Sequence, residues 1–227
     1  LGNNSHNERA PYVGRTAFSH KGGMHVNAVQ KLSKTYEHIT PETVGNSQVI
    51  LISELSGQSN ILMKAEELGH KLEKGSDTAL GILSQLKDLE KDGYEFEAAE
   101  GSFEILVRKA INDYRCLFKL TEYHCTTRRH PETHFETCEA TVKLEVNDES
   151  AYTVAQGDGP VNALDSALRK ALKPFYPSIK DIELMDYKVR IIDSHTGTAA
   201  KTRVLIVSSD GENSWGTVGV SENIIVA

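Results

Sequence analysis

The second half of the chain repeats one order of elements, and this repeat constrains the fold more than any single residue does. Six segments alternate between apolar and polar residues, as strands do. They lie at 117–123, 138–146, 151–155, 183–192, 200–208 and 215–220. After the third, a Gly-Asp-Gly-Pro turn opens a helix that runs to Leu172, since Asp158 suits an N-cap and Pro160 a first-turn position. After the sixth, Ser221 is placed to cap a second helix. Residues 114–227 are therefore predicted to hold a duplicated strand–strand–strand–helix (βββα) unit, the second copy truncated.

The first half divides into a loop-rich part and a helical part. Residues 1–50 carry glycine and proline punctuation and little apolar periodicity, so we expect a linker that packs on something outside itself. In residues 51–113 the apolar spacing predicts a small helical subdomain of three helices, at about 61–68, 77–92 and 95–112. Ser76 or Asp77 is placed to cap the second of these. Four leucines are predicted to share its buried face: Leu80, Leu83, Leu86 and Leu89. The predicted fold class is α+β.

Composition argues against several functional classes. The 227 residues carry a formal net charge of -7, whereas duplex-binding surfaces are usually basic, so no nucleic-acid partner is predicted. No apolar run approaches the roughly 20 residues that span a bilayer, so no membrane association is predicted. The start of the chain lacks both a signal-peptide pattern and an initiator Met, which indicates an internal start. An odd count of three cysteines favours a reducing, cytoplasmic setting over a disulfide framework.

Seven segments, in order along nearly the whole chain, resemble the family of isopropylmalate and citramalate synthases. They are PYVG (11–14), FSHKGGMHVNAV (18–29), YEHITPETVGN (36–46), LSGQSN (55–60), YEFEAAE (94–100), GDGPVNALD (157–165) and WGTVGVSEN (215–223). The stretches around Phe96 and Trp215 are closer to the citramalate branch than to the isopropylmalate branch.

The resemblance implies a three-part homodimeric enzyme. In this family a TIM barrel with a divalent metal condenses acetyl-CoA with a 2-oxo acid and the thioester is then hydrolysed. Linker subdomains follow the barrel, and a C-terminal regulatory domain binds an end product of branched-chain amino-acid biosynthesis. This chain matches linker subdomain I (1–50), linker subdomain II (51–113) and the regulatory domain (114–227). The barrel, with its metal-binding Asp, His-x-His pair and Asn, has no counterpart here. The fragment alone is thus expected to be inactive, with no metal or other cofactor of its own.

Two residues of the linker are candidate catalytic groups. His25 follows Gly22 and Gly23, which either let the backbone approach a ligand or simply shape a turn. An imidazole there suits a base or hydrogen-bond donor beside a thioester enolate. The resemblance implies that His25 and Tyr36 reach the barrel of the neighbouring subunit and assist there in trans. The alternative for Tyr36 is an aromatic side chain packed at a loop-to-strand transition.

The regulatory part carries candidate effector-binding residues. The 158–162 turn feeds a helix N-terminus, where free N–H groups and the helix dipole suit a carboxylate; an ordinary tight turn is the alternative. The resemblance places the pocket where two repeats and two subunits meet, lined by the turn and by two later segments. The predicted set is Asp158, Gly159, Pro160, Val161, Asn162, Asp186, Tyr187, Thr198, Ala199 and Ala200. The effector it implies is a branched-chain amino acid, isoleucine before leucine.

Other patterns compete with these. The spacing Cys-x4-His-x3-His-x3-Cys formed by Cys125, His130, His134 and Cys138 superficially resembles a structural zinc site, but it lies on a probable hairpin beside two arginines. The Ser-Gly-Gln-Ser turn at 56–59 lacks the Lys of a phosphate loop and is interpreted as a helix-cap turn.

The functional prediction is the C-terminal part of a synthase that converts pyruvate and acetyl-CoA to citramalate, on the route to isoleucine. Three rivals remain open: a 2-isopropylmalate synthase of leucine biosynthesis, a stand-alone amino-acid-binding module, and a zinc-dependent interaction domain.

Overall fold

The computed structural model describes residues 7, 10–14, 16–52, 56–129, 131–132 and 136–227. The helices are α1 (Gly23–Lys31), α2 (Gln58–Glu67), α3 (Asp77–Lys91), α4 (Glu100–Ala110) and α5 (Pro160–Leu172). The strands are β1 (Ser19–His20), β2 (Val49–Ile50), β3 (Lys119–Arg129), β4 (Glu136–Val146), β5 (Glu149–Gly157), β6 (Glu183–Ile191), β7 (Thr202–Ser209) and β8 (Ser214–Ser221). Short 3-10 helices lie at Ser33–Thr35, Pro41–Val44, Pro177–Asp181 and Ser194–Ala199. The mixture of helices and small sheets confirms the α+β class. No helix in the described ranges is long and apolar enough to cross a membrane.

The first 50 residues are more ordered than their glycines and prolines suggest. Helix α1 forms here, and β1 pairs with β2 in parallel. Val26 and Val29, one helical turn apart, are 0% and 4% exposed, so this segment buries apolar side chains although its sequence shows little apolar periodicity. Their three-residue spacing was the available signal, but two valines are too few to reveal a helix by periodicity.

Helix α1 is held to α2 by close backbone contact. A Cβ added at Gly23 would lie 2.9 Å from the backbone nitrogen of Gly57, so glycine permits this approach. The buried side chain of Asn60 joins the two turns: its Nδ2 donates to the carbonyl of Lys21 at 3.1 Å, and its Oδ1 accepts from the N–H of Gly57 at 3.3 Å. The 56–59 turn is a helix-cap turn, as predicted, because α2 begins at Gln58.

Helices α2, α3 and α4 enclose an apolar core. Its fully buried members include Ile61, Ile82, Leu86, Phe103 and Val107. Ser76 caps α3, because its Oγ accepts from the N–H of Ala79 at 3.2 Å.

The predicted leucine face of α3 is wrong at one end, since Leu80 is half exposed. An α-helix has 3.6 residues per turn, so four leucines spaced three residues apart shift progressively around the helix and do not share one face. Ala79, Ile82 and Leu86, at spacings of three and four, form the buried stripe instead.

Strands β3, β4 and β5 form an antiparallel sheet covered by α5. Asn147 and Asp148, both with positive φ, make the tight turn between β4 and β5. Helix α5 presents Ala163, Ala167 and Ala171 to the sheet, and all three are at most 1% exposed. These small side chains let the helix lie close to the strands.

Helix α5 spans the predicted residues, but its N-cap is Gly159 and not Asp158. The N–H of Asp158 instead donates to Oδ1 of Asn162 at 3.2 Å.

Strands β6, β7 and β8 form a second antiparallel sheet in the same order as the first. Its outer strand β8 packs on α4: the N–H of Val218 donates to Oγ of Ser102 at 3.0 Å. Arg203 of β7 donates through Nε to the carbonyl of Gly93 at 2.6 Å and pairs with Glu95. These contacts fix the second sheet to the helices.

Candidate functional site

The two predicted catalytic residues are close both in the chain and in space, and they lie together on the surface. His25 sits in the first turn of α1 and is exposed, and Tyr36 follows the 3-10 helix Ser33–Thr35 with half of its surface exposed. Their rings stack with centroids 4.3 Å apart and an interplanar angle of 29°. The stack leaves an imidazole and a phenol side by side, which are groups that can exchange a proton or donate hydrogen bonds to a bound molecule.

A buried hydrogen bond joins the two segments that carry this stack. His20 of β1 donates through Nε2 to Oε1 of Glu37 at 2.9 Å, and the two side chains are 10% and 3% exposed. Neither residue was predicted from the sequence to belong to the site. The signal available was only that His20 and Glu37 lie within the two segments that carry His25 and Tyr36.

A second candidate site is an apolar cleft of about 730 Å³ bordered by α5, the first sheet and the second sheet, which we name the α5 cleft. Val161, Asn162 and Tyr187 of the predicted effector residues line it. Its other lining residues include Leu164, Asp165, Leu168, Arg169, Ile206 and Thr217. The cleft therefore combines a mostly aliphatic wall with a few polar groups, which is typical of small-molecule sites.

Charged residues of α5 at the cleft were missed by sequence reasoning. Arg169 donates through Nε to both carboxylate oxygens of Asp165, at 3.0 and 2.8 Å. Its Nη1 donates to the carbonyls of Ile179 and Ile182, at 3.0 and 2.7 Å. Asp165 and Arg169 are four residues apart, and so are Leu164 and Leu168. This spacing was the signal that could have placed both pairs on one side of the helix.

The structure does not bring the remaining predicted effector residues into the α5 cleft. Asp186 pairs with Val207 across the sheet and Tyr187 with Ile206, so the two neighbours face opposite sides. Asp186 instead accepts from Nζ of Lys188 at 2.7 Å. That hydrogen bond, with the charge of the ammonium and the N–H of Tyr187, lowers the pKa of Asp186 below its usual value.

The small residues predicted for the pocket lie elsewhere. Thr198 and Ala199 are exposed at the end of the 3-10 helix between β6 and β7, and the neighbouring Ala200 is buried. Asp158, Gly159 and Pro160 form the turn ahead of the cleft but are not among its lining residues. The N-terminal turn of α5 thus contributes Val161 and Asn162 alone from the predicted set.

The candidate zinc motif is described only at its ends, because His130 and His134 lie outside the described residues. Cys125 and Cys138 sit on paired strands with their sulfurs 3.5 Å apart. Burial, together with the hydrogen bond and charge of the neighbouring Cys138 thiol, raises the pKa of Cys125 to about 11. Within the described ranges, no group of three or more His, Cys, Asp or Glu side chains is arranged to hold a metal ion.

Two family models match the chain in tandem. Residues 12–93 match the homocitrate synthase post-HMGL domain-like family, and residues 97–227 match the LeuA allosteric (dimerisation) domain. The boundary falls between α3 and α4, so the second match begins within the helical core and includes both three-stranded sheets.

Similar proteins are longer than this chain. It is 48% identical over 227 residues to the (R)-citramalate synthase of Geobacter sulfurreducens, covering all of this chain and 43% of the relative. It is 52% identical over 225 residues to that of Synechocystis sp., covering 97% of this chain and 41% of the relative. A 2-isopropylmalate synthase of Rhodopseudomonas palustris is 30% identical over 194 residues, covering 85% of this chain and 34% of the relative.

The match falls in the C-terminal part of the citramalate synthases, so the chain spans about two fifths of the curated relatives' length. The matched residues contain α4, α5 and both three-stranded sheets. The chain belongs to the LeuA allosteric (dimerisation) domain family, preceded here by a homocitrate synthase post-HMGL domain-like region.

Proposed function

We propose that this chain supplies the linker and the regulatory domain of a dimeric (R)-citramalate synthase. The whole enzyme would condense acetyl-CoA with pyruvate and hydrolyse the thioester, in a TIM barrel with a divalent metal that is not part of these 227 residues. The metal would polarise the oxo acid when bound. Identities of 43–52% to citramalate synthases of three bacteria, against 30–31% to 2-isopropylmalate synthases, support the choice of reaction.

The stacked pair His25 and Tyr36 carries the catalytic part of the proposal. Both rings are exposed, and no described cleft of this chain encloses them. A His and a Tyr held together on an open surface need a second surface to complete a site, and the barrel of the partner subunit is our choice for it. There the imidazole would take or donate a proton beside the thioester enolate, and the phenol would donate a hydrogen bond to a developing negative charge.

The α5 cleft is the proposed effector site. Its aliphatic lining suits a branched side chain, while Asp165 is placed to accept from an ammonium group and Asn162 to donate to a carboxylate. Isoleucine is the proposed effector, because it is the end product downstream of citramalate. The repeated order of three strands supports a duplicated βββα plan, with α5 as the helix of the first unit.

The catalytic test uses the full-length dimer and follows thiol release from acetyl-CoA. We expect turnover with pyruvate to exceed that with 2-oxoisovalerate, and the reverse preference would identify a 2-isopropylmalate synthase instead. His25→Ala and Tyr36→Phe should each lower kcat by about a hundredfold, which is the usual contribution of one acid–base group. The matched control is a second exposed pair of the same types, Tyr12 and His38, whose hydroxyl and Nε2 lie 3.4 Å apart. Tyr12→Phe and His38→Ala should leave kcat unchanged.

The assignment in trans is tested by mixing. A dimer of His25→Ala subunits and a dimer carrying a barrel defect should recover part of the activity when subunits exchange, because one hybrid site combines an intact barrel with an intact linker. Failure of every mixture to recover activity, with exchange shown by mass spectrometry, would contradict the assignment in trans.

The effector site is tested by calorimetry with isoleucine, leucine and valine. Ile206→Trp places a large ring in the α5 cleft and should abolish isoleucine binding. Equal or absent binding of all three amino acids to the parent enzyme would contradict a branched-chain effector, and the chain would then retain only a structural dimerisation role.

A further inference from the structure

The buried pair of His20 and Glu37 does no chemistry in the proposed reaction, yet burying these two polar side chains costs free energy. Its side chains are 10% and 3% exposed and are joined at 2.9 Å. A buried hydrogen-bonded pair of this kind adds little net stability, because the desolvation of its two polar groups offsets most of their attraction. Removing one partner, by contrast, leaves the other buried without compensation. A pair of this kind therefore fixes a local arrangement more effectively than it stabilises a fold.

Each member of the pair is tied to one of the two segments that carry the stack. His20 ends β1, where its carbonyl accepts from the N–H of Leu51 at 3.0 Å, and α1 with His25 begins three residues later. Glu37 directly follows Tyr36. The hydrogen bond between His20 and Glu37 is thus a cross-link between the segment of His25 and the segment of Tyr36.

The burial of Glu37 also determines which way Tyr36 points. Neighbouring side chains of a non-helical backbone leave it in different directions, so a Glu37 side chain turned inward directs Tyr36 outward. Tyr36 is half exposed and meets the ring of His25. Within the described residues, the Tyr36 hydroxyl makes no hydrogen bond that would hold the ring in another orientation.

We propose that the His20–Glu37 pair is a positioning element that holds Tyr36 against His25 for the reaction in the partner's barrel. This inference rests on the proposed function of Tyr36. The pair acts through Tyr36 and does not touch substrate, so its loss should lower kcat while leaving the KM values for acetyl-CoA and pyruvate nearly unchanged.

The test is a set of variants of the full-length dimer. Glu37→Leu removes the acceptor and should lower kcat by about ten- to a hundredfold, which is the scale of loss when a catalytic group is displaced by about an ångström. Glu37→Gln keeps the shape and an acceptor oxygen for His20 Nε2, and should restore kcat to near the parental value. Ser19→Ala, on the neighbouring residue of the same short strand, is the control and should have no effect.

A double-mutant cycle with Tyr36→Ala separates positioning from a merely structural role. Once Tyr36 is absent, there is nothing for the pair to position, so Glu37→Leu should cause little further loss of kcat. The same fold-loss in both backgrounds would overturn the inference, as would a Glu37→Gln variant as impaired as Glu37→Leu.

The same cycle distinguishes failure of this inference from failure of the proposed function. If Tyr36→Ala alone leaves kcat unchanged, the catalytic role of Tyr36 is wrong and the positioning role falls with it. If Tyr36→Ala lowers kcat but Glu37→Leu does not, the proposed function stands and the positioning inference is overturned. Should Glu37→Leu fail to yield folded dimer, His20→Asn replaces it in the cycle with the same expectations.

Discussion

The two three-stranded sheets share strand order and antiparallel pairing but differ in what covers them. In the first sheet the inward residues of β4 are all at most 3% exposed beneath α5. On the central strand of the second sheet, β7, only Val204 is buried, and the other residues of that strand are partly exposed. The central strand of the first sheet is thus buried beneath α5, whereas the second sheet rests on α4 and faces the open α5 cleft, which Leu120 and Tyr123 of the first sheet also line. Two sheets with the same strand order can therefore be covered to different extents.

The largest expected effect is on the core of the first sheet. Leu144 is fully buried in β4, so Leu144→Ala should lower the free energy of unfolding by about 3 kcal/mol, through lost burial and the cavity left behind. Ile206→Ala, on the central strand of the second sheet, should cost about 1 kcal/mol because the side chain already borders open space. Urea unfolding followed by circular dichroism compares the two. Equal losses would mean that the two sheets are equally covered in solution.

The thiols of the first sheet provide the next test. Because the pKa of Cys125 is raised to about 11 from the usual 9.0, its thiolate fraction at pH 8 should be about a hundredfold smaller than that of an unperturbed thiol. Iodoacetamide should therefore modify the exposed Cys116 long before Cys125, as measured by peptide mass spectrometry. Raising the pH from 8 toward 11 should speed modification of Cys125 progressively. Rapid modification of Cys125 at pH 8 would show that β3 is not covered by α5 as described, and would reopen the metal-ligand interpretation of this cysteine.

Sequence patterns predicted the elements of this regulatory region well because its strands and helix carry strong local signals. The alternation in β4 and the Gly-Pro start of α5 are both local, and α5 was placed at its observed bounds. Helix α1 was missed because its burial depends on contact with α2 through Gly23 and Gly57, which are 34 positions apart and carry no periodicity. Long-range packing of this kind leaves no pattern in a short window.

The candidate sites show the same limit. His25 and Tyr36 were identified by resemblance and lie together, but the buried partner Glu37 could not be recognised, because an acidic residue in a loop is usually solvated. Asp186 was placed in the effector pocket by resemblance of its segment, and a resemblance of segments does not say which strand residues face the pocket. The register irregularity between Leu184 and Asp186 puts Leu184 and Tyr187 on one face and Asp186 on the other.

A smaller effect is expected where the second sheet meets the helices. A Cβ at Gly216 of β8 would lie 1.8 Å from the carbonyl oxygen of Ala98, so Gly216→Ala must push β8 away from the segment that leads into α4. Overpacking of this kind costs about 2 kcal/mol. Gly81→Ala in α3 is the matched control, since a Cβ there meets nothing within 4 Å and should stabilise the helix by about 0.5 kcal/mol. Hydrogen exchange should show faster exchange in β8 of the Gly216→Ala variant and unchanged exchange in β4. Faster exchange in both sheets would mean that the first sheet depends on the second.

The smallest expected effect concerns the two carboxylates that are candidates for the effector's ammonium group, Asp186 from the sequence and Asp165 from the structure. Asp186 faces away from the α5 cleft and pairs with Lys188, so Asp186→Asn should leave the Kd for isoleucine unchanged. Asp165 lines the cleft, so Asp165→Asn should weaken binding by about tenfold, through loss of one charge-assisted hydrogen bond. The same change weakens the contact between Asp165 and Arg169 Nε, but Arg169 would still donate to the carbonyls of Ile179 and Ile182, which keeps the cleft wall in place. Calorimetry on the full-length dimer measures both variants. If Asp186→Asn weakens binding and Asp165→Asn does not, the effector binds on the opposite face of the second sheet, and the open face of that sheet has a different role.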